Sequence, residues 1–199
     1  MDTRITTIAE LFRRLECLGR GSVVAIDGCC GSGKSTLAQA IARSLPCNVV
    51  HMDDFYLPPQ CRSGDWMEHP AGNMDLERLH SQVLRPLWEM GQAEYRPFVC
   101  RTGEFGGPVA LSAQPLTIVE GSYSHHPSLA GEYDLKVFLT CSREIQETRI
   151  RAREQDEARF VRFQQIWMPL EERYFRTFAV QEQADLVLDT STLILEKEG

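Results

Sequence analysis

One run of eight residues constrains this chain more than anything else in it. Gly28-Cys29-Cys30-Gly31-Ser32-Gly33-Lys34-Ser35 satisfies G-x-x-x-x-G-K-[S/T] at every fixed position. It begins where an apolar, β-rich stretch, Ser22 to Asp27, ends. It runs directly into a segment with Leu37, Ile41 and Leu45 at four-residue steps, which reads as an amphipathic helix ended by Pro46. A strand, a glycine-rich turn and a helix N-terminus together make an anion cradle: backbone N–H groups crowd inward, and the helix end favours negative charge. Gly28, Gly31, Ser32, Gly33, Lys34, Ser35 and Thr36 are therefore the expected ATP-binding residues. Lys34 would reach the β- and γ-phosphates as a point charge, and the Ser35 hydroxyl would ligate Mg²⁺, a cation that takes oxygen ligands. Cys29 and Cys30 fall at unconstrained positions of the motif, with a redox role as the alternative.

The remaining chain narrows the setting. At 199 residues the sequence fits one domain, 1–199, with a core of its own. The formal net charge of −7 argues against nucleic acid as a partner, since a phosphate backbone needs a basic footprint. The opening MDTRITTIAELFRRL spaces its apolar residues and mixes acids among them, unlike a secretion signal. No apolar run approaches the ~20 residues of a membrane span, so a cytoplasmic protein with no membrane partner is expected. The seven cysteines match no zinc spacing and read as free thiols. A homo-oligomer is left open.

Further strands are expected at 48–51, 115–121, 134–140 and 184–189, with a short strand or edge segment at 94–99. Helices are expected at 7–18 and from Leu76 through Leu87, and across 142–180 with an interruption at Pro169. Several strands are apolar on both faces, which calls for a parallel sheet covered by helices on both sides. Residues 53–75, rich in Pro, Gly and aromatics, are long for an unstructured connection and so are expected to be functional or mobile. His69, His125 and His126 read as solvated loop histidines.

Asp53-Asp54-Phe55-Tyr56 follows the second strand, at the end of a parallel sheet that faces the ligand crevice. A carboxylate there either orients and deprotonates a hydroxyl or serves as a turn or cap residue. These residues, with the phosphate cradle before them, then Asn73-Met74-Asp75, Glu120-Gly121 and the arginines Arg149, Arg151 and Arg153, resemble in type and order the uridine kinase, phosphoribulokinase and pantothenate kinase group of P-loop kinases. The resemblance implies a three-layer α/β/α P-loop NTPase fold with a central parallel sheet and a short helical lid at ~142–160. It implies ATP and Mg²⁺ as cofactors and a small-molecule acceptor as the partner, a nucleoside such as uridine or cytidine. By the same resemblance Asp53 is the catalytic base, working with Lys34. Tyr56, Asp75, Glu120 and Asp53 contact the acceptor, and Ser35, Asp53 and Glu120 hold the metal. Arg149 and Arg153, four apart and so on one helical face, reach ATP. Asp75 opens a helix and can equally be its cap; Tyr56 can be a core aromatic, and Glu120 can simply end its strand. Where uridine kinases carry a Y-D-F segment this chain has Arg96-Pro97-Phe98-Val99-Cys100-Arg101, with Val99 in the place of the acid and Arg101 available to an anionic acceptor. A pantothenate-like or sugar-phosphate acceptor, or an ATP-binding regulatory protein without transfer, are the alternatives.

Overall fold

The computed structural model describes residues 6–192. In chain order it runs α1 (Ile8–Glu16), β1 (Ser22–Gly28), α2 (Lys34–Ser44), β2 (Cys47–His51), α3 (76–90), β3 (Ala93–Tyr95), β4 (Phe98–Val99), β5 (Glu104–Phe105), β6 (Val109–Leu111), β7 (Leu116–Glu120), β8 (Leu135–Thr140), α4 (Arg143–Glu154), α5 (157–178) and β9 (Leu186–Asp189). Five strands form one parallel sheet in the order β2-β7-β1-β8-β9. Strand β1 lies at its centre, so the glycine-rich turn leaves from the middle of the sheet.

The period-two alternation of the strands decides what each face packs against. Val24 and Ile26 of β1, Val137 and Leu139 of β8, and Leu186 and Leu188 of β9 point to one side. There they meet Leu11 and Leu15 of α1 and Leu37 and Ile41 of α2. Val119, Phe138 and Val187 point to the other side, where Leu79 and Val83 of α3 and Tyr174 of α5 cover them. Each such fully buried side chain contributes roughly 1.5–3 kcal/mol. Both faces are covered, as the apolar strands require, and the three-layer α/β/α expectation holds.

Three local expectations are corrected. Helix α5 passes through Pro169 without stopping. Pro169 has no N–H for the carbonyl four residues back, and the backbone absorbs the mismatch by widening into a π-turn at Phe163–Trp167 just before it. Helix α3 does the same at His80–Leu84, two residues ahead of Pro86. The segment at 94–99 divides into β3 and β4, which pair antiparallel with β6 and β5 in two small separate sheets. The connection at 53–75 is not featureless: it carries short 3₁₀ turns at Met52–Phe55, Pro59–Cys61 and Trp66–Glu68.

Candidate active site

The turn after β1 depends on backbone conformations only glycine accepts. Gly28 has φ 141°, and a Cβ built there would lie 2.0 Å from the carbonyl oxygen of Leu139 in β8. Gly33, at φ 96°, bends the chain into α2. Lys34 opens that helix and folds back over the turn, its Nζ donating to the carbonyls of Gly28 at 2.7 Å and Cys29 at 3.1 Å. Burial opposes the charge of Lys34, but the neighbouring carboxylates of Glu171 and Asp27 outweigh it and the pKa stands above the ordinary lysine value. The hydroxyl of Ser32 is fully buried and has no hydrogen-bond partner among the described residues.

The carboxyl end of the sheet supplies the facing groups. Strands β2 and β7 run in register with His51 opposite Glu120. Glu120 is buried, and its Oε1 accepts from Ser35 Oγ at 3.0 Å while also meeting His51 Nδ1 at 2.5 Å. That hydrogen bond, helped by the charge of Glu120, raises the pKa of His51 against the partial loss of hydration. Asp53 follows in the 3₁₀ turn after β2. Its residue surface is open to the cleft, yet protein crowds the carboxyl group on most sides, and that lost hydration is the first reason its pKa is raised. The Glu120 charge adds to the rise, while Lys34, a hydrogen bond from Tyr56 and the charge of Arg153 pull the other way. Loss of hydration and the neighbouring Asp53 charge push the Tyr56 phenol well up.

The two motifs flanking the long connection are zipped together. Tyr56 bridges Met74, Leu57 N donates to Asn73 O at 2.8 Å, and Asp75 N donates to Phe55 O at 2.7 Å. Lys34, Ser35, Asp53, Tyr56 and Glu120 thus form one cluster, with Arg153 near enough for its charge to act on Asp53. The other expected residues have different surroundings. Asp75 caps α3, with Oδ1 accepting from Arg78 N at 3.0 Å and Oδ2 lying 3.4 Å from Arg78 Nε. Arg149 holds the cradle from behind, donating to Gly31 O at 3.3 Å and to Thr190 Oγ1 and O at 3.0 and 2.8 Å. Arg153 binds Glu154 at 2.9 Å and lies over the Phe163 ring. Arg151 pairs with Glu157 and lies over Phe160. Arg101 is exposed in the tight turn joining β4 and β5, and Thr36 lies in the first turn of α2.

Several residues the sequence did not mark complete the site. Asp27, the last side chain of β1 before the turn, is fully buried: Oδ1 accepts from Gly28 N at 2.7 Å, and Oδ2 accepts from His125 N at 2.9 Å and Tyr174 Oη at 2.8 Å. Glu171 of α5, also buried, accepts from Cys30 N at 2.8 Å and from the Ser122 hydroxyl. One buried carboxylate thus fixes each end of the Gly28–Cys30 segment, and both support the charge on Lys34. The place of Asp27, last in an apolar strand and directly before the cradle, was the one available signal. Glu171 had none, because its partner lies 141 residues away. His125 corrects the solvated-loop reading: it is buried beneath β1, its Nε2 3.3 Å from Ala25 O, and burial lowers its pKa. The backbone tie to Asp27 draws it in. His126 caps the next turn, stacks on Tyr174 and meets Phe178 edge-on, whereas His69 is exposed and pairs with Asp65.

Comparison with known proteins agrees with the fold. A family profile described as an AAA domain matches residues 24–166. Among solved structures, a candidate fructose transport system kinase from Silicibacter sp. TM1040 is similar with a TM-score of 0.71 at 25% identity, over 92% of this chain and 98% of that one. A candidate uridine kinase from Bacillus stearothermophilus gives 0.67 at 24% identity, over 90% of this chain and 100% of that one. D-glycerate 3-kinase from Cryptococcus neoformans var. grubii gives 0.55 at 16% identity, over 83% and 84% of the two chains, a likeness of fold alone. No curated protein sequence matches.

Proposed function

Because the chain belongs to the AAA-domain family of P-loop proteins and has the fold of P-loop kinases, we propose that it is a phosphotransferase. It moves the γ-phosphate of ATP onto a hydroxyl group of a small molecule, a nucleoside such as uridine or cytidine. The observation that carries this reading is the convergence of Asp53, Glu120, Ser35 and Lys34 at the mouth of the cradle. Holding Mg²⁺ alone would suit a protein that merely binds ATP; Asp53, which also receives a hydrogen bond from Tyr56 at the open side of the cleft, is placed to take a proton from an acceptor as well.

The residues divide the work. The cradle amides and Lys34 hold the triphosphate and meet the charge that spreads over the transferring group. Asp53 accepts a hydrogen bond from the acceptor hydroxyl and takes its proton as the oxygen attacks. Its raised pKa is suited to that task, since a base nearer neutral pH binds the proton more firmly. Tyr56 donates to Asp53 and fixes its orientation. The oxygens of Ser35, Glu120 and Asp53 are a hard donor set that suits Mg²⁺, and the 3.0 Å contact between Ser35 and Glu120 brings two of them together. When bound, that ion neutralises charge on the β- and γ-phosphate oxygens. Arg153 lies on the lid side of Asp53, and closure of 142–160 over the cleft excludes water that would otherwise take the phosphate. We assign the work to the cytoplasm.

Val99 supports a second reading of the acceptor. The β4–β5 hairpin presents a valine where a nucleoside-holding acid is expected, which favours an alcohol recognised by other groups, such as a sugar-phosphate or pantothenate-like molecule. ADP release from Mg²⁺-ATP, measured with uridine, cytidine, other nucleosides, pantothenate and simple sugar phosphates, separates the readings. Stimulation by uridine or cytidine supports the nucleoside acceptor. Stimulation by another alcohol alone moves the specificity and keeps the chemistry. Tight ATP binding with no stimulation by any acceptor counts against transfer.

A further inference from the structure

Two of the seven cysteines, Cys29 and Cys141, meet where the phosphate cradle passes the end of β8, with Cys30 next to Cys29 in the chain. Strands β1 and β8 pair through Gly28 and Leu139, so Cys29 and Cys141 emerge side by side just beyond the last paired residues. Their sulfur atoms lie 3.7 Å apart, and both residues are partly exposed. Cys30 differs: it is buried, Gln146 Nε2 donates to its sulfur at 3.3 Å, and burial beside Glu171 pushes its thiol far up. The Cys29 thiol is pulled down, first by its contact with Cys141 and then by the Lys34 charge, against the effect of burial. Cys141, which shares that contact, is pushed up. One sulfur is therefore disposed to attack an oxidant while its neighbour waits within reach.

We propose that Cys29 and Cys141 form a reversible thiol–disulfide site that disables the phosphate cradle when a hydroperoxide oxidises it. The Cys29 thiolate attacks the peroxide oxygen, giving a sulfenic acid and hydroxide. The Cys141 sulfur then attacks the sulfenyl sulfur, forming the S–S bond and releasing the oxygen as water. In sum two thiols lose two electrons and two protons, and hydrogen peroxide becomes two waters. The bond draws the sulfurs from 3.7 Å to about 2 Å. That movement pulls on Cys29, whose carbonyl accepts from Ser32 N at 3.0 Å and from Lys34 Nζ at 3.1 Å. The cradle turn and the anchor of its lysine are both displaced. The site lies in the cradle and not in the acceptor pocket, so it does not depend on the identity of the acceptor.

The test treats fully reduced protein with hydrogen peroxide and reads two quantities. The first is the mass of tryptic peptides under non-reducing conditions. Residues 21–34 joined to residues 137–143, lighter by two hydrogens than their sum, is the expected product, retained in Cys30→Ser and absent in Cys141→Ser. The second is affinity for Mg²⁺-ATP. We expect a loss of roughly tenfold or more, the scale of losing one charge-assisted contact, restored by dithiothreitol. Cys141→Ser, and Cys141→Ala beside it in case either folds poorly, should keep ATP affinity under the same peroxide. Absence of the joined peptides overturns the proposal, as does a Cys141 variant that loses ATP affinity as fast as the parent. The peptide reading holds whatever the catalytic activity proves to be.

Discussion

The charge of Lys34 acts on Asp53, yet the two residues have separable tasks, and single substitutions should separate them. Lys34→Ala removes the point charge on the phosphates and should abolish ATP binding or turnover. Asp53→Asn keeps the shape and removes the base. It should retain ATP affinity and lower kcat by about 10²–10⁴-fold. Equal loss of affinity and turnover in that variant would count against the base assignment. The pH profile adds a sign. A base works deprotonated, and the protein crowding its carboxyl group holds the Asp53 pKa above 3.8, so activity should fall with decreasing pH on a limb lying above that value. The limb should vanish from the residual activity of Asp53→Asn. His51 has the opposite sign. Its folded pKa is raised above 6.5 by Glu120, so the pair stabilises the fold fully below that value and loses its contribution as pH rises through the folded pKa. Urea midpoints of the parent and His51→Gln should differ most below pH 6.5 and converge as pH rises through the raised folded pKa. A difference that does not change with pH would refute the pairing.

At the level of elements, the carboxylates that brace the cradle are the parts held by distant chain. Asp27 ends β1, and Tyr174 of α5 donates to it from 147 residues away. Tyr174→Phe removes that donor from a fully buried carboxylate while keeping the ring. The expected cost is about 1–3 kcal/mol, seen as a lower urea midpoint with an unchanged slope. A negligible shift would mean that the backbone bonds from Gly28 and His125 satisfy Asp27 alone. The same separation explains what was legible in the sequence. The cradle, the five apolar strands and helices α1 and α2 were readable because their signals are local: fixed spacings, period-two apolar runs, four-residue steps. So was the cluster of Lys34, Ser35, Asp53, Tyr56 and Glu120, each of which stands in a motif or at a strand end. The pairs β3–β6 and β4–β5 were not, because strands of two or three residues carry no period. Neither were the π-turns, since a proline in a helical pattern signals a break and only packing on both sides keeps the helix going. Glu171 and His125 were hidden because nothing near them names the backbone amide or carbonyl they meet.

Across the whole molecule, the connection at 53–75 and the helices that follow β8 are joined. Trp66 lies against Trp167 of α5 with ring centroids 6.1 Å apart, Arg62 sits 5.2 Å over the Trp66 ring, and Arg173 donates to Met67 O at 2.8 Å. On the proposed reading, the acceptor is held by residues entering that connection and ATP by the cradle under the lid. The two ligands therefore bias one packed unit, and each should alter the affinity of the other. Linkage requires the two effects to be equal: the factor by which an acceptor changes the Kd of a non-hydrolysable ATP analogue must be the factor by which the analogue changes the Kd of the acceptor. Trp167→Ala removes the aromatic contact without touching the cradle or Asp53. It should bring that shared factor towards one while leaving the affinity for the analogue alone nearly as it was. Calorimetric titration of each ligand with and without the other, in the parent and in Trp167→Ala, measures all four affinities. A factor that survives the substitution would show that coupling runs instead through the direct line from Asp53 to Lys34 and Glu120. It would also leave the tryptophan pair with a purely structural role in closing the loop against α5.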